Sequence, residues 1–293
     1  MPRGGRHTGQ AGRKGAAVLR DVFPFALRMR TALAQCGQLA LCLQGQVAAE
    51  NKAPDSPYQT STAVSAVDRL CQEVLLLTAA EACPHLAVQS EELGDCPPEI
   101  LALFAPGPHR YALILDPLDG TDEYLHGGSR YAHMLGLLDQ ETGRMACGAI
   151  YFPARGRLYL GVREAGAYLA EGLGGALHRA EAAPAPRAVG DVKRLTPEDR
   201  ATLASLGYEI VPAERSSAAH EFTRLADGVL GAVVMRHFHG YDTAIASVIV
   251  EELGGRALMA GGLPARYETA MPRMPLVVLA TNPDFADEIA RAL

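Results

Sequence analysis

The sequence lacks several features that would place it in a special class of protein. No apolar run approaches the roughly 20 residues that cross a membrane, and no signal-peptide core is present. The six cysteines form no Cys-x-x-Cys pair, which argues against a disulfide framework or a zinc site and favours reduced thiols in the cytoplasm. A formal net charge of −6 does not favour a nucleic-acid polymer or a membrane surface as partner.

The first part of the chain also lacks acidic residues. No Asp or Glu precedes Asp21, whereas five Arg and Lys residues do. Arg-rich, acid-poor segments are typical of transit peptides, and this remains one alternative. Because residues 1–14 have no apolar face, we predict instead that 1–15 form a disordered basic arm.

The hydrophobic pattern changes along the remaining 278 residues, from 16 to 293. Helical spacing predicts helices over 16–49 and 62–80, followed by strands at 86–88 and 111–115 and by four short segments of an antiparallel meander. Residues 171–190 carry no strong pattern, so we place a subdomain boundary at 180. The part from 16 to 180 is then α+β with an antiparallel sheet. The part from 181 to 293 is α/β, with alternating helices and strands.

The motif with most chemical content is Asp116-Pro-Leu-Asp119-Gly120-Thr121, directly after a short apolar run. We expect the strand to stop at Asp116 and a helix to begin after Gly120. Two nearby carboxylates repel each other unless a cation lies between them, and Mg²⁺ prefers carboxylate ligands together with phosphate oxygens. A helix start supplies unpaired N–H groups to an anion. Taken alone, the motif fits a turn with an Asp N-cap equally well.

Three further acidic positions lie where strands end or helices begin. Glu91-Glu92 follows the strand at 86–88, Asp242 precedes an Ala-rich helix that closes in Gly254-Gly255, and Asp68 lies in the second helix. Each has an ordinary explanation as a loop acid, a helix cap or a solvated side chain. Their combination favours a site, because open α/β architectures gather ligands at such ends.

The order and spacing of these motifs resemble the inositol monophosphatase family of metal-dependent phosphatases. Ser-Glu91-Glu92-Leu resembles its first motif, Asp116 to Thr121 with Tyr124 its second, and Tyr241-Asp242 with the Gly-Gly helix its third. The superfamily also contains nucleotide 3′-phosphatases and fructose-bisphosphatases. The resemblance covers about residues 16–293 and implies a layered αβαβα sandwich.

The resemblance implies roles for individual residues. The expected Mg²⁺ ligands, for two or three ions, are Glu91, Asp116, the Leu118 carbonyl, Asp119 and Asp242. Thr121 and Asp68 would position the attacking water, with Glu92 supporting the metal ligands. The expected substrate contacts are Gly120, Thr121, Asp119, Ser217 and Arg236. Lys52 and Asp55, in a loop that fits the family pattern poorly, receive no role.

The resemblance therefore implies a Mg²⁺-dependent phosphomonoesterase that hydrolyses a small polyol or sugar phosphate. Met235 stands where inositol-specific members have a glutamate, which argues against inositol phosphate itself. Asp122-Glu123-Tyr124 is closer to the bisphosphate nucleotidases, so a 3′(2′),5′-bisphosphate nucleotidase is one alternative. A catalytically silent binder of a phosphorylated metabolite is another. The partner would be a small metabolite, and the usual family assembly implies a homodimer.

Two rival sites are disfavoured by the sequence, the first on spacing and the second for lack of further ligands. Haloacid-dehalogenase phosphatases separate their two aspartates by one residue, whereas two residues lie between Asp116 and Asp119. His237-x-His239 could bind a transition metal, but no Cys or third His lies nearby in the sequence.

Overall fold

The computed structural model describes residues 8–52, 62–104, 107–172, 174–191, 194–212 and 217–293. The helices in these ranges are α1 (Thr8–Leu43), α2 (Ala66–Ala82), α3 (Pro98–Leu101), α4 (Thr121–Leu125), α5 (Pro197–Ser205), α6 (Ala218–Ala226), α7 (Gly240–Glu252) and α8 (Pro283–Ala292). None of these described helices is long and apolar enough to cross a membrane.

The strands of the described residues fall into two large sheets and two short pairs. They are β1 (Glu50–Asn51), β2 (Ala63–Val64), β3 (Leu86–Ser90), β4 (Tyr111–Asp119), β5 (Ala132–Asp139), β6 (Arg144–Phe152), β7 (Arg157–Val162), β8 (Gly166–Glu171), β9 (His178–Arg179), β10 (Ala188–Asp191), β11 (Glu209–Pro212), β12 (Ala232–Met235), β13 (Phe238–His239), β14 (Arg256–Met259), β15 (Arg273–Met274) and β16 (Val277–Ala280).

The larger sheet has the strand order β3-β4-β5-β6-β7-β8-β9. Strands β3 and β4 are parallel, and every later neighbour is antiparallel. The predicted meander is therefore confirmed over β5 to β8. Because β3 and β4 run in the same direction, the residues that follow them come out at the same edge of the sheet.

The second sheet has the order β11-β10-β12-β16-β14. Strands β10, β11 and β12 are parallel, whereas β16 is antiparallel to both of its neighbours, β12 and β14. Strands β10 and β14 were not predicted, because each is four residues long and contains or adjoins glycine. The predicted alternation of helices and strands is otherwise confirmed.

The elements form five layers, which confirms the predicted αβαβα architecture. Helices α1 and α2 cover one face of the larger sheet, α7 lies between the two sheets, and α5 and α8 cover the outer face of the second sheet. Helix α7 is buried along most of its length. That placement explains its nearly continuous apolar sequence, since a helix between two sheets has no solvent face.

The first helix differs from its prediction at both ends. It begins at Thr8, so it includes residues 8–15 of the predicted disordered arm, while residues 1–7 lie outside the described part. It continues through Pro24, because neighbouring residues such as Phe25 and Met29 are buried against the larger sheet and offset the cost of the proline. It ends at Leu43 rather than Ala49, where Gly45 adopts a left-handed conformation with φ of 77°. The boundary at residue 180 stays a prediction.

Candidate metal and phosphate site

The end of β4 carries the two aspartates of the central motif. The strand does not stop at Asp116, as the sequence suggested, because its pairing with β5 resumes at Asp119. Pro117 has no N–H to give to a ladder, so it and Leu118 stand outside the pairing as a bulge. Within this bulge, the Leu118 N–H donates to an Asp116 carboxylate oxygen over 3.1 Å.

Three carboxylates converge beside the bulge. Oxygen atoms of Asp116, Asp119 and Asp242 all lie within 4.8 Å of one another, although their residues are up to 126 positions apart. Burial raises the pKa of Asp116 and Asp242 well above the ordinary value, and the charge of Glu91 raises both further. Three oxygen donors that resist ionisation together are a fitting environment for a hard divalent cation.

Asp119 connects the central motif to the second half of the chain. Its carboxylate accepts hydrogen bonds from the first N–H groups of α6, at 3.1 Å from Ala218 and 2.9 Å from Ala219. Burial raises the pKa of Asp119 to about 6, against the lowering effect of these donors. The carboxylate therefore caps α6 and holds the start of this helix beside the cluster.

Asp242 lies in the first turn of α7, where its carboxylate accepts the His239 N–H over 3.0 Å. The positive charge of Arg194 acts on Asp242 and partly counters the effect of burial on its pKa. Sequence reasoning missed Arg194, because it belongs to no motif and reaches the site only through the fold. The side chain is fixed by bonds to the carbonyls of Arg236 and His237 and by stacking on Phe238.

The two glutamates after β3 are bound to a lysine. The Lys52 ammonium lies 2.8 Å from Glu91 and also forms a salt bridge with Glu92. Burial would lower the pKa of Lys52, but the attraction of Glu91 and hydrogen bonds to both glutamates raise it overall. Burial and the charge of Glu91 raise the pKa of Glu92 to about 7. Sequence reasoning assigned Lys52 no role; Asp55 lies outside the described residues.

Gly120 is the N-cap of the short helix α4, and Thr121 is its first residue. Gly120 has φ of 83°, and a Cβ atom there would lie 2.8 Å from Cβ of Ser217, so this position requires glycine. The Thr121 hydroxyl lies 2.8 Å from the Asp68 carboxylate and 2.9 Å from the Leu118 carbonyl. Asp68 also accepts the Ser65 N–H in a capping box at the start of α2. Burial raises its pKa to about 6, although these hydrogen bonds lower it.

The two remaining expected substrate contacts lie in different surroundings. Ser217 is the N-cap of α6, where its hydroxyl accepts the His220 N–H over 2.9 Å, and it packs against Gly120. Arg236 follows β12, and its guanidinium donates to both oxygens of Asp199 on α5, at 2.7 and 2.6 Å. The structure thus brings Ser217 to the cluster and engages Arg236 with Asp199. Met235 is buried in the core.

Comparisons with known proteins agree on one family. Residues 26–293 match the sequence model of the inositol monophosphatase family. The inositol-1-monophosphatase of Mycobacterium bovis is 28% identical over 241 residues, which are 78% of this chain and 77% of that protein. The putative Nus factor SuhB of Neisseria meningitidis serogroup B is 35% identical over 106 residues, so the match covers 36% of this chain and only 37% of that relative.

Solved structures share the fold at low sequence identity. An IMPase from Thermotoga maritima superposes with a TM-score of 0.68 at 18% identity, over 90% of this chain and 94% of that one. CysQ from Bacteroides thetaiotaomicron gives 0.64 at 21% identity, over 94% and 100%. An IMPase/NADP phosphatase solved with Mg²⁺ and phosphate gives 0.66 at 16% identity, over 88% and 92%.

Proposed function

Because this chain belongs to the inositol monophosphatase family, we propose that it is a Mg²⁺-dependent phosphomonoesterase acting on a small polyol or sugar phosphate. The observation that carries the proposal is the convergence of Asp116, Asp119 and Asp242 within 4.8 Å. Beside them, the Thr121 hydroxyl is hydrogen-bonded to a buried carboxylate. Metal-binding and proton-accepting groups are thereby combined at one edge of the larger sheet.

The proposed ligands of two or three Mg²⁺ ions are Glu91, Asp116, the Leu118 carbonyl, Asp119 and Asp242. The donor set fits this ion, because Mg²⁺ takes oxygen ligands. The pKa values of the three aspartates are raised, so a bound cation would stabilise their ionised forms. When bound, the metal would lower the pKa of a coordinated water and neutralise charge on the phosphoryl group. Glu92, which forms a salt bridge with Lys52, would support the metal ligands.

Thr121 and Asp68 would orient the attacking water. The Thr121 hydroxyl has one proton and two acceptors within reach, the Asp68 carboxylate and the Leu118 carbonyl. Above its pKa of about 6, Asp68 is ionised and is the stronger of the two acceptors. The Thr121 hydroxyl then donates its hydrogen bond to this carboxylate. The threonine oxygen is then free to accept a hydrogen bond from water and to fix its direction of attack.

The substrate phosphate would lie at the beginning of α4. We propose that the N–H groups of Gly120 and Thr121 bind its oxygens, with Asp119 and Ser217 bounding the remainder of the substrate. The contact between Gly120 and Ser217 supports this placement, since it brings the start of α6 against the start of α4. Arg236 would contact the rest of the substrate only if its hydrogen bonds to Asp199 open.

A substrate panel with and without Mg²⁺ tests this function. It contains inositol 1-phosphate, fructose 1,6-bisphosphate, adenosine 3′,5′-bisphosphate and histidinol phosphate; two relatives are named histidinol-phosphatases. We expect Mg²⁺-dependent phosphate release on a polyol or sugar phosphate, with loss of release in Asp116→Asn. Preference for the adenosine compound would favour the bisphosphate nucleotidase. Binding of these compounds without turnover would favour a silent binder, and turnover without metal would contradict the mechanism.

We propose further that the enzyme acts in the cytoplasm as a homodimer. All six cysteines are free and four of them are buried, which fits a reducing compartment. The dimer follows the usual assembly of the family. Light scattering on the purified protein would measure the mass, and a monomer of 31.1 kDa would contradict the assembly.

A further inference from the structure

His133 is a fully buried polar residue that faces the bulge of β4. Strands β4 and β5 are paired up to Asp116 and again from Asp119, so two β4 residues, Pro117 and Leu118, stand opposite His133 alone. A bulge of this kind takes backbone groups out of the ladder and redirects the neighbouring side chains. Those groups then need other partners, because the site is buried.

The imidazole of His133 supplies one of these partners. Its Nδ1 lies 2.5 Å from the Pro117 carbonyl oxygen. A carbonyl can only accept, so Nδ1 must carry the proton. Burial lowers the pKa of His133 to about 4, against the raising effect of hydrogen bonds with the Pro117 and Cys36 backbones, so the ring is neutral at physiological pH and has a single proton. The hydrogen bond therefore fixes both the tautomer of the ring and the direction of the carbonyl.

The other polar groups of the bulge are also held. The Leu118 N–H donates to Asp116, and the Leu118 carbonyl oxygen lies 2.9 Å from the Thr121 hydroxyl oxygen. The Pro117 carbonyl belongs to the peptide unit that leads into Leu118. Rotation of this unit would turn the Leu118 N–H away from Asp116, so the bond to His133 braces the conformation of the whole bulge.

We propose that His133 is a positioning residue, which acts through Pro117 to hold Asp116, the Leu118 carbonyl and Asp119 in the arrangement that binds metal. The inference rests on the proposed function, since it assigns His133 to the same site. Its Nδ1 contacts the backbone between two proposed ligands, Asp116 and Leu118, through Pro117, which is not itself a ligand. Groups that orient metal ligands in this way alter metal affinity by about 10–100-fold when removed.

The experiment compares His133→Leu with His133→Asn. Leucine keeps the apolar volume and removes the donor, whereas the Asn side-chain nitrogen occupies the place of Nδ1 and can donate to Pro117. Calorimetric titration of the metal-free protein with Mg²⁺ measures affinity independently of turnover. We expect the Leu variant to bind Mg²⁺ about 10–100-fold more weakly and the Asn variant to recover most of the loss, with circular dichroism unchanged in both.

Equal Mg²⁺ affinity in wild type and the Leu variant would overturn the inference while leaving the proposed function intact. An Asn variant as weak as the Leu variant would also overturn it, because the donor would then be irrelevant. Failure of the wild type to bind Mg²⁺ would overturn both. Should the Leu variant not fold, His133→Gln makes the same comparison, since its amide nitrogen reaches the place of Nε2 rather than Nδ1. It is then expected to bind as weakly as the Leu variant would, and wild-type affinity would overturn the inference.

Discussion

The Thr121 hydroxyl and the Asp68 carboxylate are 2.8 Å apart, and this hydrogen bond connects the first turn of α4 with the first turn of α2. The two residues are 53 positions apart in the chain. Asp68 is fixed from its other side by the Ser65 N–H and hydroxyl, at 2.8 and 2.7 Å. These hydrogen bonds fix the orientation of the buried Asp68 carboxylate, and the carboxylate in turn fixes the orientation of the Thr121 hydroxyl.

Replacement of Asp68 by Asn is expected to reduce kcat by roughly 100- to 10,000-fold, the range of a positioned proton acceptor. The affinity for Mg²⁺ should change little, because Asp68 is not among the proposed ligands. Steady-state kinetics at saturating metal measures the effect. Glu81→Gln, in an exposed ion pair with Arg28 in the last turn of α2, is the matched control and should retain full activity. Unchanged kcat in the Asp68 variant would contradict the assignment.

The metal-free protein should lose stability as the pH rises. The pKa values of Asp68 and Asp119 are raised to about 6 and that of Glu92 to about 7, chiefly by burial. The folded state therefore binds these protons more tightly than the unfolded state. The resulting stability is complete below the unfolded pKa of about 4 and is lost as the pH passes through the folded values. We expect Tm to fall between about pH 5 and about pH 8.

Saturating Mg²⁺ should raise Tm more at the upper end of this range, because the ion binds the ionised carboxylates. Differential scanning calorimetry at several pH values, with and without metal, measures both effects. A Tm that is flat or that rises across this range in the metal-free protein would contradict the prediction.

Replacement of Asp116 by Asn should have opposite effects on function and on stability. Activity should fall at least about 100-fold, because metal catalysis contributes several kcal/mol to the barrier. The metal-free variant should nevertheless melt at a higher temperature than wild type near neutral pH, since one buried, mutually repelling carboxylate is gone. Asp122→Asn removes an exposed carboxylate directly after the motif and should change neither property. A lower Tm in the Asp116 variant would contradict this view of the cluster.

The sequence predicted those parts of the site that depend on local pattern. Asp116, Asp119 and Asp242 follow or begin elements whose periodicity is clear, so their meeting at one edge could be expected. The position of Lys52 could not be expected, because it lies 39 residues from Glu91, in a segment without pattern next to the two-residue strand β1. Arg194 likewise reaches the site through contacts with residues 42 to 44 positions away.

The prediction of the fold was correct for long elements and missed several short strands. Strand β7 belongs to the predicted meander, whose short apolar runs end at clear turn signals. Strand β14 was missed, since four residues after Gly254-Gly255 acquire their conformation from pairing with β16 rather than from their own propensity. The continuation of β4 beyond Pro117 was missed for the same reason.

Replacement of Gly120 by Ala should be more harmful than replacement of Gly172. Both glycines have positive φ, 83° and 77°, so Ala costs roughly 1–2 kcal/mol at either position. A Cβ at Gly120 would also meet Cβ of Ser217 at 2.8 Å, whereas nothing lies within 4 Å of one at Gly172. The excess loss in unfolding free energy at Gly120 therefore measures the contact with α6, about 1–3 kcal/mol. Equal losses of unfolding free energy in urea titrations would show that the start of α6 moves to make room for the added methyl group.

The last prediction separates structure from substrate binding at Arg236. Its guanidinium donates to both oxygens of Asp199, and both side chains are largely buried, at 20% and 6% exposure. Burial would raise the pKa of Asp199, but Arg236 and Thr196 lower it overall. The pair with Arg236 therefore stabilises the ionised carboxylate. Lysine cannot reproduce the two parallel bonds. We expect Arg236→Lys to reduce the unfolding free energy by about 1–3 kcal/mol and to leave KM nearly unchanged.

Arg256→Lys is the matched control for this variant. Arg256 also pairs with an aspartate, Asp287, at 2.7 Å, but its side chain is 49% exposed. A solvent-exposed pair contributes about 0–1 kcal/mol, so this variant should be nearly neutral in stability. If instead KM for the preferred substrate rose more than about tenfold in Arg236→Lys alone, the bond to Asp199 would have to open during binding. Arg236 would then be a substrate contact, as the resemblance to the family implied.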